Sequence, residues 1–222
     1  KGAVVMTLTT QGDVPIRYTL DGSEPTAASP RYTGPVEIGK SARFRATALR
    51  EGGENASYSR EFAFSKSTGR PAVLNTKPND SYTFEGASLL VDGYHSRPVF
   101  TSGAWLRYLD EPLDVTIDMG GEQSYRSVEL ETLAEKGDWI FPPSSVTVWV
   151  SDNGTDFTEV ASVAVPEAKA GDADGIGRYR MQFPETSARY LKVVAQNAAA
   201  IPAWHPGAGS KGFLFVDEVV VE

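Results

Sequence analysis

The residue types that could do chemistry in this sequence are mostly carboxylates, because it holds no cysteine and two histidines, His95 and His205. Disulfides, thiolate zinc sites and cysteine nucleophiles are thereby excluded. No Gly-x-Ser-x-Gly string offers a serine nucleophile. The adjacent pair Asp217-Glu218 is the most suggestive acidic constellation. Hydrolysis of a glycosidic bond needs two carboxylates flanking that bond at a defined separation. This pair, however, lies in Phe213–Val221, an extended run in which successive side chains face opposite sides. The two carboxylates are therefore not expected to converge, and no catalytic residue is assigned. Asp172-Ala173-Asp174-Gly175 begins like a calcium loop but lacks the further acidic ligand and closing Glu of an EF-hand. It reads as a solvated loop. Asp21 stands before Gly22 and has a sufficient backbone reason as a turn residue, with Glu24 solvated nearby.

The elements that must position such residues are strands. Ile16, Tyr18 and Leu20 alternate with polar neighbours, as do Phe44, Ala46 and Ala48. Leu113, Val115, Ile117 and Met119 repeat the pattern, followed by Val146, Val148 and Val150, then Leu191, Val193 and Ala195. Period two is the mark of a strand with one buried face. Segment 130–137 has weak helical spacing but is too short to form a helix alone. Asp21-Gly22, Asp92-Gly93, Gly52-Gly53 and Asn153-Gly154 supply turn chemistry. Many short strands between Gly/Pro-rich turns point to an all-β fold built of sandwiches.

The chain has 222 residues, 41% hydrophobic and 23% charged, with a net charge of −8. A packed core is expected, and an acidic surface makes nucleic acid a poor partner. No stretch approaches the roughly 20 apolar residues of a membrane span. The sequence opens at Lys1 directly on an apolar stretch and reads as cut from a longer polypeptide. The polar run from Ser65 to Arg70 divides it. Residues 1–65 are expected to form a small sandwich, 66–70 a linker and 71–222 a larger sandwich.

Two stretches carry family resemblances. The string Ile16-Arg-Tyr-Thr-Leu-Asp-Gly-Ser-Glu-Pro25, continued by Ser29-Pro-Arg-Tyr-Thr-Gly-Pro-Val-Glu-Ile38 and Ala42–Leu49, resembles the Ig-like C-terminal domain of chitobiases and β-N-acetylhexosaminidases. Asp92-Gly93, then Trp105, then Asp118-Met119-Gly120 and Val146–Gly154 resemble a discoidin-type domain, also called F5/8 type C or galactose-binding-like, with Met119 replacing the usual Leu. The end, from Ala188 to Glu222, resembles the version attached to family 20 glycoside hydrolases. These resemblances imply an Ig-like sandwich followed by an eight-stranded jelly roll. They imply a non-catalytic accessory region of an exported bacterial β-N-acetylhexosaminidase, extracellular, periplasmic or on the cell surface. Its partners would be the catalytic domain of the same polypeptide and glycans.

The discoidin resemblance further implies a structural calcium held by Asp92 and Glu218, although Tyr94 and Arg97 stand where the family has Asn and Thr. Carbohydrate binding would use aromatic faces with a few orienting polar groups. The aromatic or polar loop candidates are Tyr94, His95, Trp105, Tyr108, Trp139, Phe141, Trp204 and His205, of which Trp105 follows the family's core tryptophan and is expected in the core. The Trp204-His205-Pro206-Gly207 loop serves either as a sugar platform or as a surface docked on the catalytic domain. Trp149 alternates with inward Val148 and Val150, so it faces outward, toward a partner module or under a long loop. Three other functions compete: a purely structural spacer, a cell-surface adhesion or lipid-binding module, and a complete small enzyme.

Overall fold

In the computed structural model, which describes residues 3–50 and 55–222, period-two segments become strands almost wherever they were legible. The first module has β1 (Val4–Met6), β2 (Ile16–Thr19), β3 (Val36–Ile38), β4 (Ala42–Ala48) and β5 (Ala56–Phe62). β1 pairs antiparallel with β3, and β2, β4 and β5 form a second antiparallel sheet in that order. Between them Met6, Ile38, Phe44, Ala46 and Phe62 form a small core, with Tyr18 stacked on Phe44 at 5.8 Å. The turn expected at Gly52-Gly53 lies outside the described residues.

The second module contains β6 (Ala72–Leu74), β7 (Leu106–Tyr108), β8 (Leu113–Ala134), β9 (Ser145–Ser151), β10 (Thr158–Ala164), β11 (Gly175–Gln196) and β12 (Leu214–Val221). β8 and β11 pair along most of their length, with register breaks at Gln182/Thr186 and Ala188/Tyr190. These breaks divide each long strand in two. One half carries β10-β9-β11-β8-β6, and the other carries β11-β8-β12-β7. The resemblance implies eight strands; the described residues give seven, two of them long enough to serve both faces of a jelly roll.

Leu113, Val115, Ile117, Met119, Val146, Val148, Leu191 and Val193 are all buried, as alternation requires. Each such side chain contributes roughly 1.5–3 kcal/mol on burial. Residues 130–134 continue β8 rather than forming a helix, and a short 3₁₀ turn follows at Lys136–Asp138. Tertiary pairing with β11 and β12 outweighs the weak local spacing.

The connector Lys66–Arg70 is not a free tether. Ser67 and Thr68 are 0% and 1% exposed. Lys66 N donates to Val221 O at 2.9 Å, Ser67 Oγ donates to Val219 O, and Gly69 N donates to Val91 O at 2.7 Å. From the first module, Ala63 N donates to Gly93 O at 2.7 Å. These bonds join the modules, and the buried Ser67 and Thr68 of the connector satisfy backbone groups rather than meeting water.

Candidate functional site

The loop Asp92–Ser96 enters the seam, and the last strand supplies its anchors. β12 carries one extra residue against β8, since Val216 lies opposite Thr132 and Val219 opposite Leu130. This bulge falls on Asp217-Glu218, where it interrupts the strand's alternation. Contrary to the expectation from alternation, both carboxylates reach the same loop. Asp217 Oδ2 accepts from Ser96 N at 2.8 Å, and Glu218 Oε1 accepts from Gly93 N at 3.2 Å. They are 1% and 0% exposed, so no glycosidic bond can lie between them. Their work is to hold a loop.

Burial raises the pKa of Asp92 to about 6, against the pull of Arg60, and raises that of Asp217 to about 8. Burial also drives Glu218 well above the ordinary carboxylate range, with Asp92 and Asp217 adding to the effect. Beneath the loop, burial pushes Glu131 upward, but His95 and Arg178 together bring it below its ordinary value. His95 Nδ1 is 2.9 Å from Glu131 Oε2 without hydrogen-bond alignment, so this contact acts through charge. The adjacent Glu131 raises the pKa of His95, against burial.

The positive charge beside Asp92 comes from the first module. Arg60 Nη2 is 3.2 Å from Asp92 Oδ2, and the guanidinium lies over the Tyr94 ring at 3.8 Å. Asp92 Oδ1 accepts from Tyr94 N at 2.7 Å. A calcium ion needs six to eight oxygens around it. Here Asp92 is engaged by a guanidinium and an N–H, and Glu218 Oε1 by another N–H. Among the described residues no three His, Asp or Glu side chains gather to hold a metal. The unpaired, buried Glu218 Oε2 is one available oxygen. As folded, Arg60 supplies the positive charge beside Asp92.

The aromatic candidates separate into different places. Tyr94 and His95 lie at the seam, with Arg60 on one face of Tyr94. Trp139, Phe141, Trp204 and His205 gather elsewhere, with Trp204 and His205 centroids 5.6 Å apart. Trp139 and Trp204 are 39% and 40% exposed, so each indole keeps part of its aromatic surface open. Trp204 Nε1 donates to Ala168 O at 2.9 Å, which fixes its orientation. Beside the cluster, Pro142, Pro143, Val165 and Ile201 help to line an apolar cavity of about 340 Å³.

Two candidates chosen by residue type are corrected by burial and bonding. Tyr108 is 1% exposed in the core and has no face for a glycan. His205 Nδ1 accepts from Gly207 N at 3.0 Å, and its Nε2 lies 2.9 Å from Lys136 O. That pattern places the proton on Nε2 and leaves His205 no free polar edge. Trp105 is fully buried, as expected, and its Nε1 donates to Arg97 O at 3.2 Å. Trp149 is half-buried on the outer face, in register with Glu159 and Lys192. Asp172 Oδ2 accepts from Lys169 N within its own turn, and Asp174 Oδ1 accepts from Lys136 N and pairs with the Lys136 ammonium 38 residues away, so the second acidic run has structural partners. Asp21 accepts from Ser23, and Glu24 pairs with Arg45. The Arg60–Asp92 pairing escaped sequence reading because 32 residues separate the partners. The bulge escaped it because an inserted residue leaves no compositional mark.

A match to the F5/8 type C domain covers residues 75–211, more than half the chain, and takes in the Asp92-Gly93 loop and most of the jelly roll; the last strand, Leu214–Val221, lies just past it. The chain belongs to the F5/8 type C family. Residues 1–60 match the chitobiase/β-hexosaminidase C-terminal domain. No curated protein matches the chain. Among solved structures, this F5/8 type C chain is similar to CpGH89CBM32-5 from Clostridium perfringens, in complex with GalNAc-β-1,3-galactose. Identity is 17%, the TM-score is 0.46, and the match covers 68% of this chain and 93% of that one. Chitosan-binding module 1 of a chitosanase/glucanase from Paenibacillus sp. IK-5 shares 17% identity at a TM-score of 0.45, over 71% and 98% of the two chains. Among the described residues no helix is long and apolar enough to cross a membrane.

Proposed function

We propose that this chain is the accessory C-terminal region of an exported bacterial β-N-acetylhexosaminidase. In this reading it performs no catalysis itself; it positions the catalytic domain and binds carbohydrate. The observation that carries the reading is the pairing of modules: a chitobiase-type C-terminal domain joined to an F5/8 type C domain by a buried, hydrogen-bonded seam. A hydrogen-bonded seam transmits orientation, as a positioning element must. The exposed indoles of Trp139 and Trp204 are the surface best suited to sugar rings. Weak contacts there suffice, because tethering raises the local concentration of substrate. CpGH89CBM32-5 was solved with GalNAc-β-1,3-galactose, and chitosan-binding module 2 of the Paenibacillus enzyme with chitotriose. The same class of ligand, glycans bearing amino sugars, is proposed here.

The test is affinity electrophoresis of the purified chain through gels containing amino-sugar and galactoside glycans. Retardation is expected, and it should fall in Trp204→Ala and Trp139→Ala. No retardation by any of them would reduce the role to positioning alone, a purely structural spacer. Release of nitrophenol from a nitrophenyl N-acetylglucosaminide by the chain itself would overturn the non-catalytic reading.

A further inference from the structure

Where the two modules meet they leave a cleft of about 620 Å³, within the range of small-ligand sites, about 300–1,000 Å³. Five arginines line it: Arg43, Arg45 and Arg60 from the first module, and Arg97 and Arg178 from the second. Glu61 is the one acidic residue among its lining side chains, in a chain whose net charge is −8. A cavity of about 440 Å³ continues past the same Arg60, Tyr94 and Arg97, with Glu85 joining its lining, so the groove is elongated but its basic part ends there.

The partners of these arginines are uneven. Arg178 and His95 share Glu131, which is buried beneath them, and Arg60 engages the largely buried Asp92. The Arg43–Glu61 pair is highly exposed on both sides, so water screens it and a competing anion can displace it. Arg97 is exposed and joins no ion pair among the described residues. Arg60 Nε is buried without a hydrogen-bond partner. Planar guanidiniums pair with carboxylates and sulfates through two parallel N–H bonds. Arg45 pairs with Glu24, so each cleft arginine of the first module has an acidic partner and Arg97 of the second is the one without, among the described residues. The modules thus bring donors of one kind to one cleft, and neither has the complete set alone.

We propose that this cleft binds an acidic saccharide, one whose successive rings carry carboxylate or sulfate groups. The proposal rests on the carbohydrate-binding reading above, but uses a separate surface from Trp139 and Trp204. Arg97 and Arg43 make the direct contacts from opposite walls. Arg60 and Arg178 set the potential while remaining tied to their buried partners.

The test is calorimetric titration of the intact chain with a hexuronate trisaccharide and its carboxyl-reduced counterpart. A sulfated disaccharide, an N-acetylglucosamine trisaccharide and an Asp/Glu hexapeptide complete the panel. The expected result is binding of the hexuronate or the sulfated sugar, weakened by salt and lost on carboxyl reduction. Affinity should fall on the order of tenfold in Arg97→Gln and in Arg43→Gln. It should be unchanged in Arg126→Gln, a surface charge outside the cleft. Undisturbed thermal melts of the variants would exclude misfolding as the cause. Neutral sugars binding while acidic ones do not would overturn the cleft proposal and leave the broader carbohydrate reading intact. Equal hexuronate affinity in the arginine variants would move the site elsewhere and overturn it. Preference for the hexapeptide would make the cleft a protein-docking surface, and binding of no saccharide would defeat both readings.

Discussion

The two modules are built on the same principle at different scales. Five buried residues make up the core cluster of the described first module, whereas the cluster inside the jelly roll runs from Leu89 to Val221 and draws on nearly all of its strands. Small bodies bury too little surface to be secure alone. The first module compensates through its border: Ala63, Arg60 and the buried connector all bond to the second. A domain boundary in sequence is therefore not an energetic boundary here, and the smaller body borrows stability from the larger.

The strongest way to break this asymmetry is Phe44→Ala, which empties the centre of the small core and should cost about 3–5 kcal/mol. All four tryptophans lie in the second module. The variant should thus lose part of its β circular dichroism at a temperature where tryptophan fluorescence is unchanged. A single coincident transition would instead mean that the seam couples the modules completely. Next comes Gly69→Ala. Gly69 has φ +68°, and an added Cβ would lie 2.4 Å from Ala3 N, so strain on the order of 1–3 kcal/mol should loosen the seam. Small-angle scattering should report a larger radius of gyration, with the tryptophan signal retained.

A subtler effect concerns the carboxylates under the loop. Burial raises the folded-state pKa values of Asp217 and Asp92 to about 8 and about 6. A raised folded pKa favours the protonated native state, so stability is fullest in acid and falls as pH climbs through the window from about 4 to about 8. The slope for Asp217 is at most about 1.4 kcal/mol per pH unit. His95, whose pKa is also raised, acts in the same direction. Urea denaturation at pH 5 and pH 8 should show this decline, and Asp217→Asn should flatten it. An unchanged slope in that variant would remove Asp217 as its source. The smallest effect is expected from chelation. With Arg60 beside Asp92, EDTA should move the melting temperature by less than about 1 °C. A larger fall would mean that an ion contributes at the loop after all.

The sequence made the strands legible because one buried face imposes a period that composition cannot disguise; Leu113 to Met119 follows it without error. Turns were equally readable, and the glycines of Asp21-Gly22, Asp92-Gly93 and Asn153-Gly154 all take positive φ. What stayed hidden depends on distance or on a single inserted residue. Tyr108 and His205 look like ligand-binding side chains by type, and only the fold shows that one is buried and the other saturated with backbone partners. Asp217 and Glu218 were separated by a rule that holds for regular strands and fails at a bulge. The basic cleft was invisible because its arginines are scattered from position 43 to 178 and face one another only across the seam.

Lys66 N donates to Val221 O and Val221 N donates to Ser65 Oγ, which brings the chain's entry into the jelly roll beside its last strand. Tension applied between the first module and Glu222 would fall first on this clasp and on the Ser67–Val219 bond behind it. Glu222 is also bonded to Arg126 and Ser127, so β8 shares the load with the clasp while β11 lies off its path. Most of the sandwich therefore hangs to one side of the line of force, and the loops far from the clasp keep their shape while the polypeptide around them is pulled.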